Sequence, residues 1–242
     1  MTKNLIVSYF KKQSFKPGPL AIFFNPFYFI RSSLFHNIQD TAKHLKGKLL
    51  DFGCGRKPYE HLFNVCEYIG VDVEESGHDH KSSKVDVYYD GKHLPFEDES
   101  FDSLFCTEVL EHLFDPDESL AEMYRVLKFN GRLLLTVPFA WNEHEVPYDF
   151  ARYTSFGIIH LLEKHGFTII EEKKSGNFIR VIWQLWSLYI FELFKRFNKT
   201  GYILSLIFIA PLNLLGVIIL PLMPVNNSLF FNNIVLAEKK LQ

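Results

Sequence analysis

From residue 48 to residue 175, short apolar runs alternate with amphipathic stretches. Lys48–Phe52, Glu67–Val73, Val85–Asp90, Phe101–Cys106, Arg132–Pro138 and Phe167–Glu172 read as strands. Helices are predicted over Pro58–Val65, Pro116–Leu127 and from Thr154 or Ser155 to Lys164. Asp115 is placed to cap the second of these with Pro116 at its first position, and Asn130-Gly131 to close it. Strands alternating with helices at this spacing predict a doubly wound, Rossmann-like α/β sheet. A seventh strand is expected at Asn233–Lys239, hairpin-paired and antiparallel. About sixty residues separate it from the sixth. Residues 176–231 therefore read as an apolar helical insertion between strands six and seven, 47–175 and 232–242 as the core, and 1–46 as an N-terminal helical cap broken at Lys16-Pro17-Gly18-Pro19.

The length of 242 residues suits one α/β domain with elaborations. A net charge of −2 argues against nucleic-acid partners, which need Lys and Arg against phosphate. Cys54, Cys66 and Cys106 follow no ligand spacing, so neither a disulfide framework nor a metal site is expected. His78-Asp79-His80 reads as a solvated loop. The first residues carry lysines without a sustained apolar run, so a cytoplasmic location is expected. Aromatic residues, 16% of the chain, crowd into residues 20–35 and 178–231.

The loop Asp51-Phe-Gly53-Cys-Gly55 follows the first strand, where open α/β sheets bind ligands. Glycines let the backbone approach a ligand, and Asp72, ending the second strand, suits a pair of ribose hydroxyls. Asp72 alone fits a dinucleotide equally well. Two features decide: Pro58 stands where the pyrophosphate fingerprint needs a third glycine, and Asp51 would repel a pyrophosphate but attract the ammonium of a methionine tail.

Leu49-Leu-Asp-Phe-Gly-Cys-Gly55, Tyr68-Ile-Gly-Val-Asp72, Asp90–Asp102, Val109-Leu-Glu-His-Leu113 and Arg125–Leu133 occur in order. Together this set resembles the successive motifs of class I S-adenosylmethionine-dependent methyltransferases of the type 11 kind. The resemblance implies S-adenosylmethionine as cofactor. By it, Gly53, Cys54 and Gly55 line the methionine end with Asp51 nearby. Asp72, followed by Val73, would hold the ribose; Asp90, followed by Gly91, the adenine amino group; and Glu108 and Val109 would lie beneath the sulfonium. Asn130 replaces a turn glycine of the family, which a residue tolerant of positive φ permits.

The loop after the fifth strand, Pro138–Thr154, concentrates His144, Glu145, Tyr148, Asp149, Arg152 and Tyr153. Methyl transfer to a hydroxyl needs a held nucleophile and a proton acceptor. His144 is the expected base, with Glu145 or Asp149 orienting it; a loop-closing ion-pair network is the simpler alternative.

Within the insertion, Phe178–Phe197 is helical in pattern, with Arg180, Gln184, Ser187, Phe191 or Glu192, and Lys195 on a thin polar seam. Tyr202–Met223 is apolar and uncharged. The seam suits a hairpin lying on the inner face of a membrane, ahead of a homodimer interface, a substrate lid or a true span. The expected function is O-methylation of a lipid-linked, glycan or small apolar acceptor. The alternative is a non-catalytic protein that uses the same fold as a membrane or protein interaction module.

Overall fold

A computed structural model describes residues 13–74 and 83–240; the His78-Asp79-His80 loop lies outside the described residues. Two compact units divide the chain. One takes Ile38–Lys173 and the last strand from Asn232; the other takes the N-terminal segment up to Asn37 and Lys174–Phe231.

The first unit is a seven-stranded sheet of β1 (Lys48–Phe52), β2 (Glu67–Val73), β3 (Val87–Tyr89), β4 (Phe101–Thr107), β5 (Leu127–Pro138), β6 (Phe167–Lys174) and β7 (Asn232–Lys239). Its order is β3-β2-β1-β4-β5-β7-β6. β1 runs parallel to β2 and β4, as do β2 with β3 and β4 with β5, whereas β7 is antiparallel to β5 from Arg132↔Glu238 to Pro138↔Asn232. The seventh strand thus sits between β5 and β6, as its antiparallel pattern predicts. β1 and β4 are buried along nearly their whole length because they lie inside the sheet. Leu50, Phe52, Leu104, Cys106, Leu133 and Leu135 form the centre of the core.

After α1 (Tyr28–Ala42), helices α2 (Pro116–Val126) and α3 (Ser155–Lys164) start where their sequences say. Asp115 accepts from the amide of Asp117, Pro116 follows it, and Thr154 accepts from the amide of Gly157 at 3.1 Å. α2 turns its apolar stripe, Leu120, Met123 and Val126, into the core.

Two local expectations fail. The helix over Pro58–Val65 is replaced by a single 3-10 turn, Glu60–Leu62. Lys57 takes a left-handed φ of 51°. Tyr59 and Phe63 then set their rings 6.1 and 4.8 Å from that of Phe105, so ring packing overrides helix propensity. The helix before β5 ends at Val126, and Asn130 (φ 61°) lies within Leu127–Pro138 rather than closing the helix. A register shift separates the pair Phe101–Leu127 from Ser103–Arg132, so the turn residue sits in an irregularity of the ladder.

Lys239, nearly buried on β7, donates to the carbonyls of Tyr124 (2.9 Å) and Leu127 (2.8 Å) at the end of α2. Lys239→Met is expected to leave both carbonyls without this cation and to lower stability by about 1.5–3 kcal/mol. A shift of the urea midpoint at unchanged slope checks it.

In the second unit, α4 (Phe178–Lys195) and α5 (Asn198–Ile219) pack together. The polar seam of α4 divides: Gln184 and Ser187 turn inward, while Glu192 and Lys195 stay exposed. Gln184 is fully buried: its Oε1 accepts from the amides of Phe29 (3.0 Å) and Ile30 (3.3 Å), and its Nε2 donates to the Pro26 carbonyl at 2.7 Å. Those amides open α1 and have no partner within their own helix. Ser187, also buried, donates to Asn213 of α5, whose Nδ2 donates to the carbonyls of Ile22 and Asn25 at 3.0 Å. The middle of the seam faces inward because these groups satisfy backbone that would otherwise be buried unpaired.

Candidate functional site

The first half of the site is the switch between β1 and β4, where the strand order reverses. Gly53 has φ 70°, and a Cβ there would meet Val109 Cγ2 at 2.4 Å. Only glycine gives both the left-handed turn and this contact, so the first loop is pinned to the end of β4. Gly55, φ 48°, faces open space: a Cβ would find no atom within 4 Å, which leaves its backbone open to a ligand. Its amide donates to Asp72 Oδ2 at 2.9 Å, while Asp72 Oδ1 accepts from the amide of Val73. The loop and the second strand are thereby locked together, with Asp72 held in one orientation.

Asp51 is nearly buried. Its Oδ2 accepts from the Tyr68 hydroxyl at 2.6 Å, and Oδ1 is buried with no hydrogen-bond partner among the described residues. Burial pushes its pKa up to about 7, against the opposing pull of the Tyr68 bond and the Lys57 charge. An orphaned carboxylate oxygen of this kind fits an ammonium group. Cys54, also buried, is an inert thiol: desolvation pushes its pKa far up, and the neighbouring Asp51 charge adds to it.

A cleft of about 570 Å³ lies alongside, lined by Val73, Glu74, Tyr88, Tyr89, Asp90 and Gly91. Asp90 accepts from the amides of Lys92 and His93 at 2.8 Å, which lower its pKa and keep it ionised. Three of the six lining residues, Val73, Asp90 and Gly91, carry the sequence expectation; Glu74 and the two tyrosines do not. Glu74 directly follows β2, and Tyr88 and Tyr89 are consecutive on β3, so no sequence spacing singles them out.

Glu108 follows β4 with a left-handed φ of 53°, unusual for a side chain of its size. Its amide donates to the Thr136 carbonyl, its Oε1 accepts from Thr136 Oγ1 at 2.8 Å, and its Oε2 from Asn232 at 2.7 Å. Thr107 Oγ1 lies 2.8 Å from Thr136 Oγ1, completing a chain across three strands. Thr136 and Asn232 carry no local sequence signal, being 28 and 124 positions from Glu108.

The loop after β5 supplies the second half. Arg152 grips Asp149 bidentately, at 2.6 and 2.7 Å, and also donates to the Asn142 carbonyl at 2.8 Å. Asp149 in turn accepts from the backbone amide of His144 at 2.8 Å and lies 3.3 Å from its Nδ1. Burial works against the Asp149 carboxylate, but Arg152 and the His144 amide outweigh it and lower its pKa to about 2. The His144 imidazole is held below its ordinary 6.5, first by burial and then by the neighbouring His112. The two rings stand edge to face, 4.8 Å apart.

The Glu145 carboxylate lies 3.7 Å from His112 Nε2, and its charge also acts on His144 by raising the imidazole pKa against burial; Glu145 has φ 53° and precedes the cis bond Val146–Pro147. His112 Nδ1 is 2.5 Å from the Tyr148 carbonyl, which fixes that nitrogen as the donor. Beneath lies Glu111, fully buried, both carboxylate oxygens without a hydrogen-bond partner among the described residues. Burial, and then the charge of Glu108, raise its pKa well above the carboxylate range. Glu111, His112 and His144 offer ligand atoms within 4.8 Å of one another, the residues here that could hold a cation.

Residues 50–135 match the family model of the methyltransferase domain. A ubiquinone/menaquinone biosynthesis C-methyltransferase of Pseudoalteromonas translucida is 36% identical over 78 residues, 32% of this chain and 31% of that one. The solved [4+2]-cyclase SpnF superposes with a TM-score of 0.56 at 20% identity, covering 87% of this chain and 82% of its own. Phosphoethanolamine N-methyltransferase 2 of Haemonchus contortus, solved with S-adenosyl-L-methionine, gives 0.54 at 22% identity over 91% of this chain and 55% of that one. The chain spans half or less of the length of the curated relatives it matches.

Proposed function

We infer that this chain, whose core belongs to the class I S-adenosylmethionine-dependent methyltransferases, methylates a hydroxyl oxygen of a lipid-linked, glycan or small apolar acceptor. The observation that carries the reading is the Arg152–Asp149–His144 relay next to the cofactor half of the site. S-adenosylmethionine is the cofactor of this family, and when bound it supplies an electrophilic methyl group. The residues present fit it: Asp51 offers the buried oxygen for its ammonium, Gly55 the open backbone, Asp72 the ribose, and Val73, Asp90 and Gly91 the wall of the cleft. Glu108 and Val109 stand at the end of β4, where a cationic centre is favoured by the Glu108 carboxylate.

On the acceptor side, Asp149 holds His144 through Nδ1 and the backbone amide, which presents Nε2 as the proton acceptor. His144 would take the hydroxyl proton of the acceptor, whose oxygen would receive the methyl group that the bound cofactor supplies. Glu145 acts at one remove, beside His112, as a positioning group.

His144→Ala is expected to lower kcat by about 100-fold with saturating acceptor. Because burial keeps the imidazole below 6.5, the parent rate should rise with pH through a point below that value and be flat at neutrality. The variant should lose this limb. Acceptors are sought with isotopically labelled cofactor added to lipid and glycan extracts, followed by mass spectrometry. An unchanged kcat in His144→Ala removes the base assignment. Cofactor binding with no labelled product from any extract favours the non-catalytic alternative.

A further inference from the structure

We propose that the outward face of α4 and α5 is embedded in a lipid bilayer, with the helices lying in the plane of the membrane surface. The inference concerns the helical unit alone and does not depend on the methyl-transfer reading.

The unit buries polar side chains beside apolar ones such as Val181, Leu188 and Ile209, and its outer face is apolar. Gln184, Ser187, Ser205 and Asn213 are fully buried, and each has its hydrogen bond inside the unit. Trp186, Tyr189, Ile203, Ile207, Ile218 and Leu222 point outward, more than half exposed in each case, with Leu222 at 81%. Single exposed apolar residues are ordinary, but a continuous two-helix face of them is not. A water-soluble helical pair puts its apolar stripe inside, because burial of that stripe is what drives the pairing. The reverse order is what a helical pair adopts when its surroundings are less polar than its interior: buried polar side chains join the helices, and the apolar ones meet lipid.

The length and charge pattern agree with lipid as the occupant. Thr200–Leu222, 23 residues, is long and apolar enough to cross a membrane by length and composition. Spanning is disfavoured by the other end of the hairpin. Glu192 and Lys195 form an exposed ion pair at 3.1 Å, and Arg196 follows in the connection to α5. A transverse hairpin would carry these charges through the hydrocarbon, whereas an in-plane hairpin leaves them among the headgroups. Trp186 and Tyr189, amphipathic rings on the outer face, suit the same depth.

The test uses the full chain with vesicles of phosphatidylcholine and phosphatidylglycerol, read by flotation and by tryptophan fluorescence. The protein should float with the vesicles, and lipids carrying a nitroxide near the headgroup should quench it more than lipids carrying one at the bilayer centre. Trp186→Phe should still float but lose most of the quenching, since Trp183 donates to the Leu212 carbonyl inside the unit. Ile203→Glu with Ile207→Glu should lower the vesicle-bound fraction about tenfold, with helicity by circular dichroism confirming that the unit still folds. A parent protein that stays monomeric in detergent-free buffer and does not float overturns the proposal. So does a discrete dimer in buffer that shields Trp186 and ignores vesicles. Stronger quenching from the bilayer centre overturns the in-plane orientation.

Discussion

An Asp51→Asn variant is expected to be more stable than the parent above neutral pH, and to bind S-adenosylmethionine more weakly. Asp51 is buried at the end of β1 with one carboxylate oxygen bonded to Tyr68 and the other unpartnered among the described residues. Its pKa is about 7 in the folded protein against an ordinary 3.8. A raised carboxyl pKa means that the folded state binds the extra proton. Stability is therefore lost as pH rises from about 4 to about 7, by roughly 1.4 kcal/mol per unit. Asparagine has no charge to bury, so the variant should show no advantage below the unfolded pKa of 3.8 and a gain on the order of 4 kcal/mol above the folded value of about 7. Denaturant titrations at two pH values measure this. The same change removes the anion offered to the methionine ammonium. Calorimetry should show affinity reduced roughly 10- to 100-fold, the range set by one charge-assisted hydrogen bond. A variant no more stable at high pH would show that the carboxylate is solvated.

Gly53→Ala should be strongly damaging for so small a change. A side chain at φ 70° costs roughly 1–3 kcal/mol. The added carbon also falls 2.4 Å from Val109 Cγ2, so either β4 or the loop must move. Together these effects predict a stability loss of about 2–5 kcal/mol and a cofactor affinity lowered more than about 100-fold. The double variant with Val109→Ala separates the two causes. It relieves the contact but not the backbone strain, so it should recover part of the stability. Full recovery would assign the whole effect to the contact.

The strands and caps were legible because each rests on neighbours in the chain. The motif Asp51-Phe-Gly53-Cys-Gly55 states its own turn, and Asp115 and Thr154 cap helices three residues away or fewer. Antiparallel β7 was legible for a topological reason, since a long insertion must return the chain beside the strand it left. The lost helix at Pro58–Val65 was not legible. Its outcome depends on Phe105, whose ring is brought to Tyr59 and Phe63 only by pairing of β1 with β4. The same holds for the site. His144, Glu145 and Asp149 were identified as a group, but their separate duties were not. Arg152 draws Asp149 to His144, while the turn at Glu145 sends its carboxylate to His112.

The sequence by itself determined the frame of the proposed cofactor half: an acid, two glycines and an aspartate at strand ends, in a spacing read along one short stretch of chain. It also determined that residues 176–231 are apolar beyond what a core requires. Tertiary structure alone decided which way that segment's polarity points. Periodicity shows that Gln184 and Ser187 share a seam, but a seam has no inside until a partner exists to face it. Backbone amides of Phe29 and Ile30 and the side chain of Asn213 supply that partner from far along the chain. The seam turns inward because unpaired buried amides are more costly than exposed hydrocarbon, which lipid can cover.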